Sequence, residues 1–515
     1  MASAYGGHPY ECPGRSLYTP VMERFFRPLA RLAARFIRAT KVANRAVKRG
    51  AHPVGRAAVF TALLAFLLTP VPSPGQSLSH AAKDDNTVLK QIIIFGRHSV
   101  RSAAAPSNVI SVFASQPYPD FGVPTGYLTP HGAQASVLLG RYFRDYLRAE
   151  GLLSGKDAED AEWSYFRANS IQRSNITAAS LASGLLPGAS VPIHSFPLGT
   201  PDPIFDPIAA GVVTADGARA VKEVAGIYGT EGSALSAAYR SEDSLMRSAL
   251  FSYPRDQQPP PATPSGLTDA TAQPISLTAS TGKVATTNVI NVGGLRDRLL
   301  ATDPFVMEYT DNLPIQEVAW GRLSLEEISQ LTRIITLYFA IDTNPPYLNQ
   351  LQSSNAMAHI LRSMEQEVYG HKVPGAFTGK RAHLLVINSS DGYVEGVASL
   401  LHMHWLLPGY QPDFCAPGGS LVFELRRSKR SGRYIVRAYY TAQTFDQLRT
   451  LTPLTVERPP ATQQLLIPHG RDDARTLDVD FGRFQEIVHE AIDKKYVQNP
   501  TTEVAPGPLA GVPLR

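Results

Sequence analysis

Apolar and polar positions along the chain fall into runs with two different periods. Val88 to Phe95 is a short, almost continuous apolar run and reads as a buried strand. Leu128-Thr129-Pro130-His131-Gly132 then opens a helical run from Ala133 to Leu147, with Thr129 suited to the N-cap and Pro130 to the first helical position. Trp163 to Phe166 is a second short strand, followed by the polar stretch Arg167 to Ser174 and a helix through about Leu186. Residues 216–250 read as helical, and 254–288, dense in Pro, Thr, Ala and Ser, as a long surface insertion. Helices are predicted over Leu323–Phe339, begun by Ser324, and over Gln350–Tyr369. A strand from Ala382 to Asn388 precedes Ser389-Ser390-Asp391-Gly392-Tyr393 and a helix from Val394 to Leu406. Ser420–Arg427 and Tyr434–Thr441 alternate as a hairpin, and Phe481–Ile492 is a last amphipathic helix. Strands separated by helices predict an α/β core with a mainly helical cap inserted in it. The expected divisions are a leader over 1–80, a discontinuous core over 86–185 and 300–495, a cap over 186–299 and a tail over 496–515.

Charge changes this picture at one end only. The 515 residues carry a net charge of +5, but residues 1–80 hold 11 Lys and Arg against 2 Asp and Glu. The rest of the chain is therefore acidic, with no basic stripe interleaved with aromatics, and nucleic acid is not an expected partner. The basic segment ends in the apolar core Ala57 to Leu68 and the Pro-rich exit Thr69 to Ser77. That order describes a secretory signal, too short for an ordinary spanning helix, so the mature chain is expected in the periplasm or secreted, without a membrane span. About fifty residues precede the apolar core. Initiation at or beyond Met22, a genuine long leader and an organelle transit sequence all fit them. Of the two cysteines, Cys12 lies upstream of the presumed cleavage and Cys415 reads as a packed small residue, so no disulfide is expected. His402 and His404 stand two apart on a predicted helix and so point to different faces, which argues against a metal pair. No metal or cofactor is expected.

The candidate chemistry begins where the first strand ends, at Arg97-His98-Ser99-Val100-Arg101. A phosphate monoester dianion repels nucleophiles. A site that attacks one needs cations on the non-bridging oxygens and a neutral nitrogen for the phosphorus. Arginine suits the first task through its planar, permanently charged fork, and neutral histidine suits the second. Ligands of open α/β sheets also bind beyond the carboxyl ends of the strands. Read alone, the segment is equally compatible with a solvated loop.

These residues and those after them resemble the histidine acid phosphatases, most closely the bacterial periplasmic branch of phytases and glucose-1-phosphatases. The family's Arg-His-Gly-x-Arg-x-Pro is matched by Arg97, His98 and Arg101, with Ser99 for the glycine and Ala103 for the proline. Leu128-Thr129-Pro130-His131-Gly132, the Arg-x(5)-Arg stretch at Arg167 and Arg173, Trp320-Gly321 and the run Pro417 to Glu424 follow in family order. The resemblance implies a three-layer α/β/α, phosphoglycerate-mutase-like core. It implies hydrolysis of a small phosphate monoester through a phosphohistidine on His98, with Asp391 as general acid and Arg97, Arg101 and Arg167 as the phosphate clamp. One departure stands out. The family's Gly-His-Asp-Thr-Asn is here Ser389-Ser390-Asp391-Gly392-Tyr393, so Ser390 replaces the distal histidine. Reduced activity is expected, and a phosphate-binding protein without turnover is the alternative.

Overall fold

The structure, a computed structural model, describes residues 86–229, 232–257, 261–279, 289–468 and 477–498. The leader, the signal-like segment and nearly all of the tail lie outside the described residues. In chain order the principal elements are β1 (Thr87–Arg97), α1 (Pro130–Ala149), β2 (Ser164–Ala168), α2 (Gln172–Leu185) and β3 (Ile193–His194). There follow α3 (Gly217–Tyr228), α4 (Ser233–Ala238), α5 (Arg240–Phe251), β4 (Ser276–Ala279), β5 (Ile290–Gly293), α6 (Leu295–Thr310), α7 (Leu325–Thr343) and α8 (Pro346–Tyr369). The last are β6 (Leu384–Ser389), α9 (Asp391–Leu400), β7 (Ser420–Ser428), β8 (Tyr434–Ala442), β9 (Ala461–Gln464), β10 (Val479–Asp480) and α10 (Phe481–Ala491).

An eight-stranded mixed sheet runs in the order β10-β8-β7-β1-β6-β2-β3, with β9 also on β8. The strands β1, β6, β2 and β3 are parallel, and β7 and β8 continue the sheet antiparallel. Burial on both faces explains why β1 reads as a continuous apolar run. Its side chains still alternate: Ile92 and Ile94 join the cluster formed with Leu139, Phe143 and Leu181 of α1 and α2. Ile93 and Phe95 join the opposite cluster with Ile360, Val394 and Phe484 of α8, α9 and α10. The result is the three-layer α/β/α arrangement that the resemblance implies. Among the described residues no helix is long and apolar enough to cross a membrane.

Two local features fix the helix beside the first motif. Thr129 caps α1, its Oγ1 accepting the Gly132 N–H at 3.0 Å, and its own N–H donates to the Val100 carbonyl at 3.1 Å. A side chain at Gly132 would collide with that carbonyl, since a Cβ there would lie 2.2 Å from it. Glycine also lets α1 and α2 approach closely. A Cβ at Gly140 would lie 2.2 Å from the Leu181 carbonyl oxygen, and one at Gly184 would lie 2.1 Å from that of Val137. Gly140→Ala is therefore expected to lower stability by about 1–3 kcal/mol through overpacking. Urea unfolding checks this, and an unchanged midpoint would contradict so close a crossing.

Three expectations are corrected. Residues 216–250 are not one helical stretch but three helices, broken first where Gly229 and Gly232 take positive φ of 89° and 63° and again at Tyr239, with φ −103° and ψ 16°. The stretch 254–288 is not only surface insertion, because it contributes β4, antiparallel to β5. The helix after β6 stops at Leu400 rather than Leu406. His402 takes φ 51°, its N–H donates to the Ser399 carbonyl at 3.0 Å, and Met403 N–H donates to that of Ala398 at 2.9 Å. This is a Schellman stop with histidine in the left-handed position usually held by glycine. His402 and His404 consequently lie on a loop, where His404 pairs with Asp413 at 2.9 Å.

Candidate active site

The carboxyl ends of β1 and β6 lie side by side, with Arg97 opposite Ser389 and the His98 N–H donating to the Ser389 carbonyl at 2.8 Å. The sheet thus brings together two sequence motifs almost three hundred residues apart. His98 leaves β1 into a buried loop, where its Nδ1 is 2.8 Å from the Ser99 carbonyl oxygen. A carbonyl can only accept, so Nδ1 carries the proton and Nε2 keeps a free lone pair. Burial holds the imidazole well below the usual histidine range, and the charges of Arg173, Arg97 and Arg101 push it the same way. The ring is therefore neutral, which is the form a nucleophile needs.

Each predicted arginine is held differently. Arg97 is fully buried, its Nη2 3.1 Å from Asp391 Oδ2, and its Nη1 donates to the Cys415 carbonyl. Burial lowers its basicity, but Asp391 and other acidic groups more than compensate, and the net shift is upward. Arg101 forms a bidentate pair with Asp303, both bonds 2.9 Å long. Burial raises the Asp303 carboxyl, yet Arg101 and Arg97 bring it below its ordinary value. Arg167 lies elsewhere. It belongs to the body of β2, opposite Ile387, and its Nη2 is 2.7–2.8 Å from both oxygens of the fully buried Asp202. That ion pair holds the guanidinium against Asp202 in the body of the sheet.

Arg173, the second arginine of the Arg-x(5)-Arg stretch, lies close enough to His98 for its charge to act on the imidazole. It stands in the first turn of α2, just past the end of β2, and donates to the Gly126 carbonyl at 3.3 Å. Among the described residues it forms no ion pair. Burial lowers its pKa to about 10, and Arg101 adds to the fall. A cation at the positive end of a helix, facing two further guanidiniums, is electrostatically unfavourable until an anion arrives. The sequence signal for Arg173 was its spacing after a strand end. Asp303 and Asp202 had no signal, since each is defined by a partner distant in sequence.

Asp391 is the first residue of α9, buried, with Oδ1 accepting the Gly392 N–H at 3.3 Å. Ser390 is the N-cap residue, but its side chain makes no capping bond, so its hydroxyl is not spent on the helix. The assembled groups are a neutral imidazole, the guanidiniums of Arg97, Arg101 and Arg173, and the carboxyls of Asp391 and Asp303, at the carboxyl ends of the parallel strands of the sheet. Such a set can bind a tetrahedral oxyanion, attack its central atom and exchange a proton with a departing oxygen.

A sequence model of the histidine phosphatase superfamily (branch 2) matches residues 73–219. Phytase AppA of Escherichia coli (strain K12) is 24% identical over 444 residues, covering 83% of this chain and 98% of that protein. A glucose-1-phosphatase of Providencia rettgeri is 25% identical over 401 residues, covering 77% of this chain and 90% of that protein. Among solved structures, Klebsiella sp. ASR1 phytase superposes with a TM-score of 0.70 at 24% identity, covering 82% of this chain and 98% of that one. Hafnia alvei phytase in complex with tartrate gives 0.69 at 24% identity, covering 80% and 99%.

Proposed function

The chain belongs to branch 2 of the histidine phosphatase superfamily, and on that premise we propose that it is a phosphomonoesterase working through a phosphohistidine on His98. The observation that carries the reading is a neutral imidazole, free at Nε2, in the combined field of Arg97, Arg101 and Arg173. The three guanidiniums hold the non-bridging oxygens, and Nε2 attacks phosphorus. Asp391 protonates the leaving oxygen as general acid. Water then attacks the phosphohistidine, and Asp391 takes up its proton. Asp303 keeps the Arg101 fork oriented, so its part is positional. Arg167, paired with Asp202, supports the fold beneath the site.

Phosphate release from an aryl phosphate by the purified protein tests the reading, and no release between acid and neutral pH would end it. A second reading, a phosphate-binding protein without turnover, draws support from one feature, Ser390 in place of the distal histidine. One preorganised donor to a developing charge is worth about 3 to 4 kcal/mol, or roughly 10² to 10³ in rate. Ser390 has a hydroxyl to give, but a shorter reach, so the enzyme is proposed to work at reduced rate. Ser390→His is expected to raise kcat by about tenfold or more, short of that limit because the new ring lacks a prepared seat. A fall in turnover would indicate a pocket rebuilt around serine.

We also propose export to the periplasm or beyond, on the strength of the basic flank, apolar core and Pro-rich exit before Ser77. The partner is a small phosphate monoester, and nothing in the acidic body favours nucleic acid.

A further inference from the structure

Helix α9 carries a second carboxyl that the proposed reaction does not use. Glu395 lies four residues after Asp391 on the same helix, where side-chain roots are about 5–6 Å apart. Both are buried. The loop before β7 closes over the pair. Cys415 accepts from Arg97 Nη1 through its carbonyl, and its backbone also acts on the Glu395 carboxyl. Arg97 in turn contacts Asp391 at 3.1 Å, so Arg97, Asp391, the Cys415 backbone and Glu395 form one buried polar network.

The groups that act on Glu395 are Asp391 on its own helix, Arg97 at the end of β1, and Asp413 and Cys415 in the loop before β7. Burial pushes the Glu395 carboxyl well above the usual range, Asp391 and Asp413 push it further, and Arg97 only partly opposes them. Asp391 is ion-paired with Arg97 at 3.1 Å, and departure of an alkoxide calls for a proton. The two neighbouring carboxyls thus have different surroundings, one ion-paired with an arginine and one pushed by burial toward its protonated form.

Resting on the phosphatase reading above, we propose that Glu395 is the proton store behind Asp391. As the His98 Nε2–P bond forms and the P–O bond to the leaving group breaks, Asp391 gives its proton to the leaving oxygen, having received it from the Glu395 carboxylic acid. In the second half, water attacks phosphorus, the N–P bond breaks, and the proton that water loses passes to Asp391 and back to Glu395. One water is consumed, the ester becomes alcohol and inorganic phosphate, and both carboxyls return to their starting state. Glu395 acts through Asp391 and is a positioning and proton-supplying residue rather than one that touches substrate.

The test compares wild type with Glu395→Gln on p-nitrophenyl phosphate, whose phenolate leaves readily, and on glycerol 2-phosphate, whose alkoxide needs a proton. Glu395→Gln is expected to lower kcat on the alkyl ester at least about tenfold and on the aryl ester by less than about threefold. Glu395→Asp is expected to restore part of the alkyl turnover. Equal loss on both esters, or no loss on either, would overturn the proposal. Infrared difference spectra at neutral pH give a readout independent of turnover: wild type should show a protonated-carboxyl C=O band that Glu395→Gln lacks, and absence of that band also overturns it. If wild type hydrolyses neither ester, the phosphatase reading falls, and the infrared band alone decides whether Glu395 stores a proton.

Discussion

His98→Ala is expected to lower phosphate release by about 10⁶-fold, the scale of loss when the nucleophile is removed from a hydrolase whose groups act as a unit. The remaining clamp can still bind phosphate, so KM or product affinity should change far less than kcat. Rapid acid-free quenching of wild type with labelled aryl phosphate should trap an acid-labile, base-stable phosphoprotein that His98→Ala lacks. Retention of turnover within tenfold, or a label that persists without His98, would remove the imidazole from the chemistry. The pH dependence follows from the same environment. The imidazole is held well below its ordinary value of 6.5 by burial first and the arginines second, so the nucleophile stays unprotonated into acid. As pH falls through 6.5, kcat/KM should therefore show no decline from protonation of His98. The sign for stability is opposite. As pH falls through 6.5, the unfolded chain takes up a proton at this histidine that the folded chain refuses, so this group's contribution to folding stability declines toward acid.

The parts of the fold that were legible in sequence are those set by local chemistry. The apolar run of β1, the Thr129-Pro130 start of α1, the Ser324 cap of α7 with its capping box, and the alternation of β7 and β8 all have causes within a few residues. Elements set by tertiary packing were less legible. Helix α6 holds Pro304 in its interior and buries Leu295, Ala301, Phe305, Val306, Met307 and Tyr309 around most of its circumference, so it shows no amphipathic period. The early stop of α9 was hidden because His402, not glycine, takes the left-handed position. The same division runs through the site. Arg97 and His98 sit at the end of a strand that the pattern predicts, Arg101 in the loop just beyond it, and Asp391 between a predicted strand and a predicted helix. Asp303, which orients Arg101, lies on the helix that periodicity missed.

Substituting the two arginines of the Arg-x(5)-Arg stretch separates these kinds of role and should give opposite phenotypes. Arg173→Ala removes a cation that, among the described residues, pairs with no carboxylate and lies in the field of His98, Arg97 and Arg101. Its loss should relieve repulsion in the empty pocket and so cost little stability. Turnover should fall by about 10³-fold, because charge-assisted donors exceed the roughly 10² to 10³ of an ordinary preorganised donor. Arg167→Ala instead strands Asp202, fully buried and bonded at 2.7–2.8 Å, without its counter-charge. Breaking a buried pair from one side costs about 3–5 kcal/mol, enough to unfold much of a marginally stable protein. Thermal melts and kcat, measured on both variants under conditions where each is folded, check the assignment. The expected pattern is a stable but nearly inactive Arg173→Ala protein and an unstable Arg167→Ala protein that keeps its turnover in the folded fraction. The reverse pattern would return Arg167 to the clamp. The physical ground for the choice is position along the strand: Arg167 still belongs to the hydrogen-bonded body of β2, whereas Arg173 lies beyond its carboxyl end, where the parallel sheet opens to ligand.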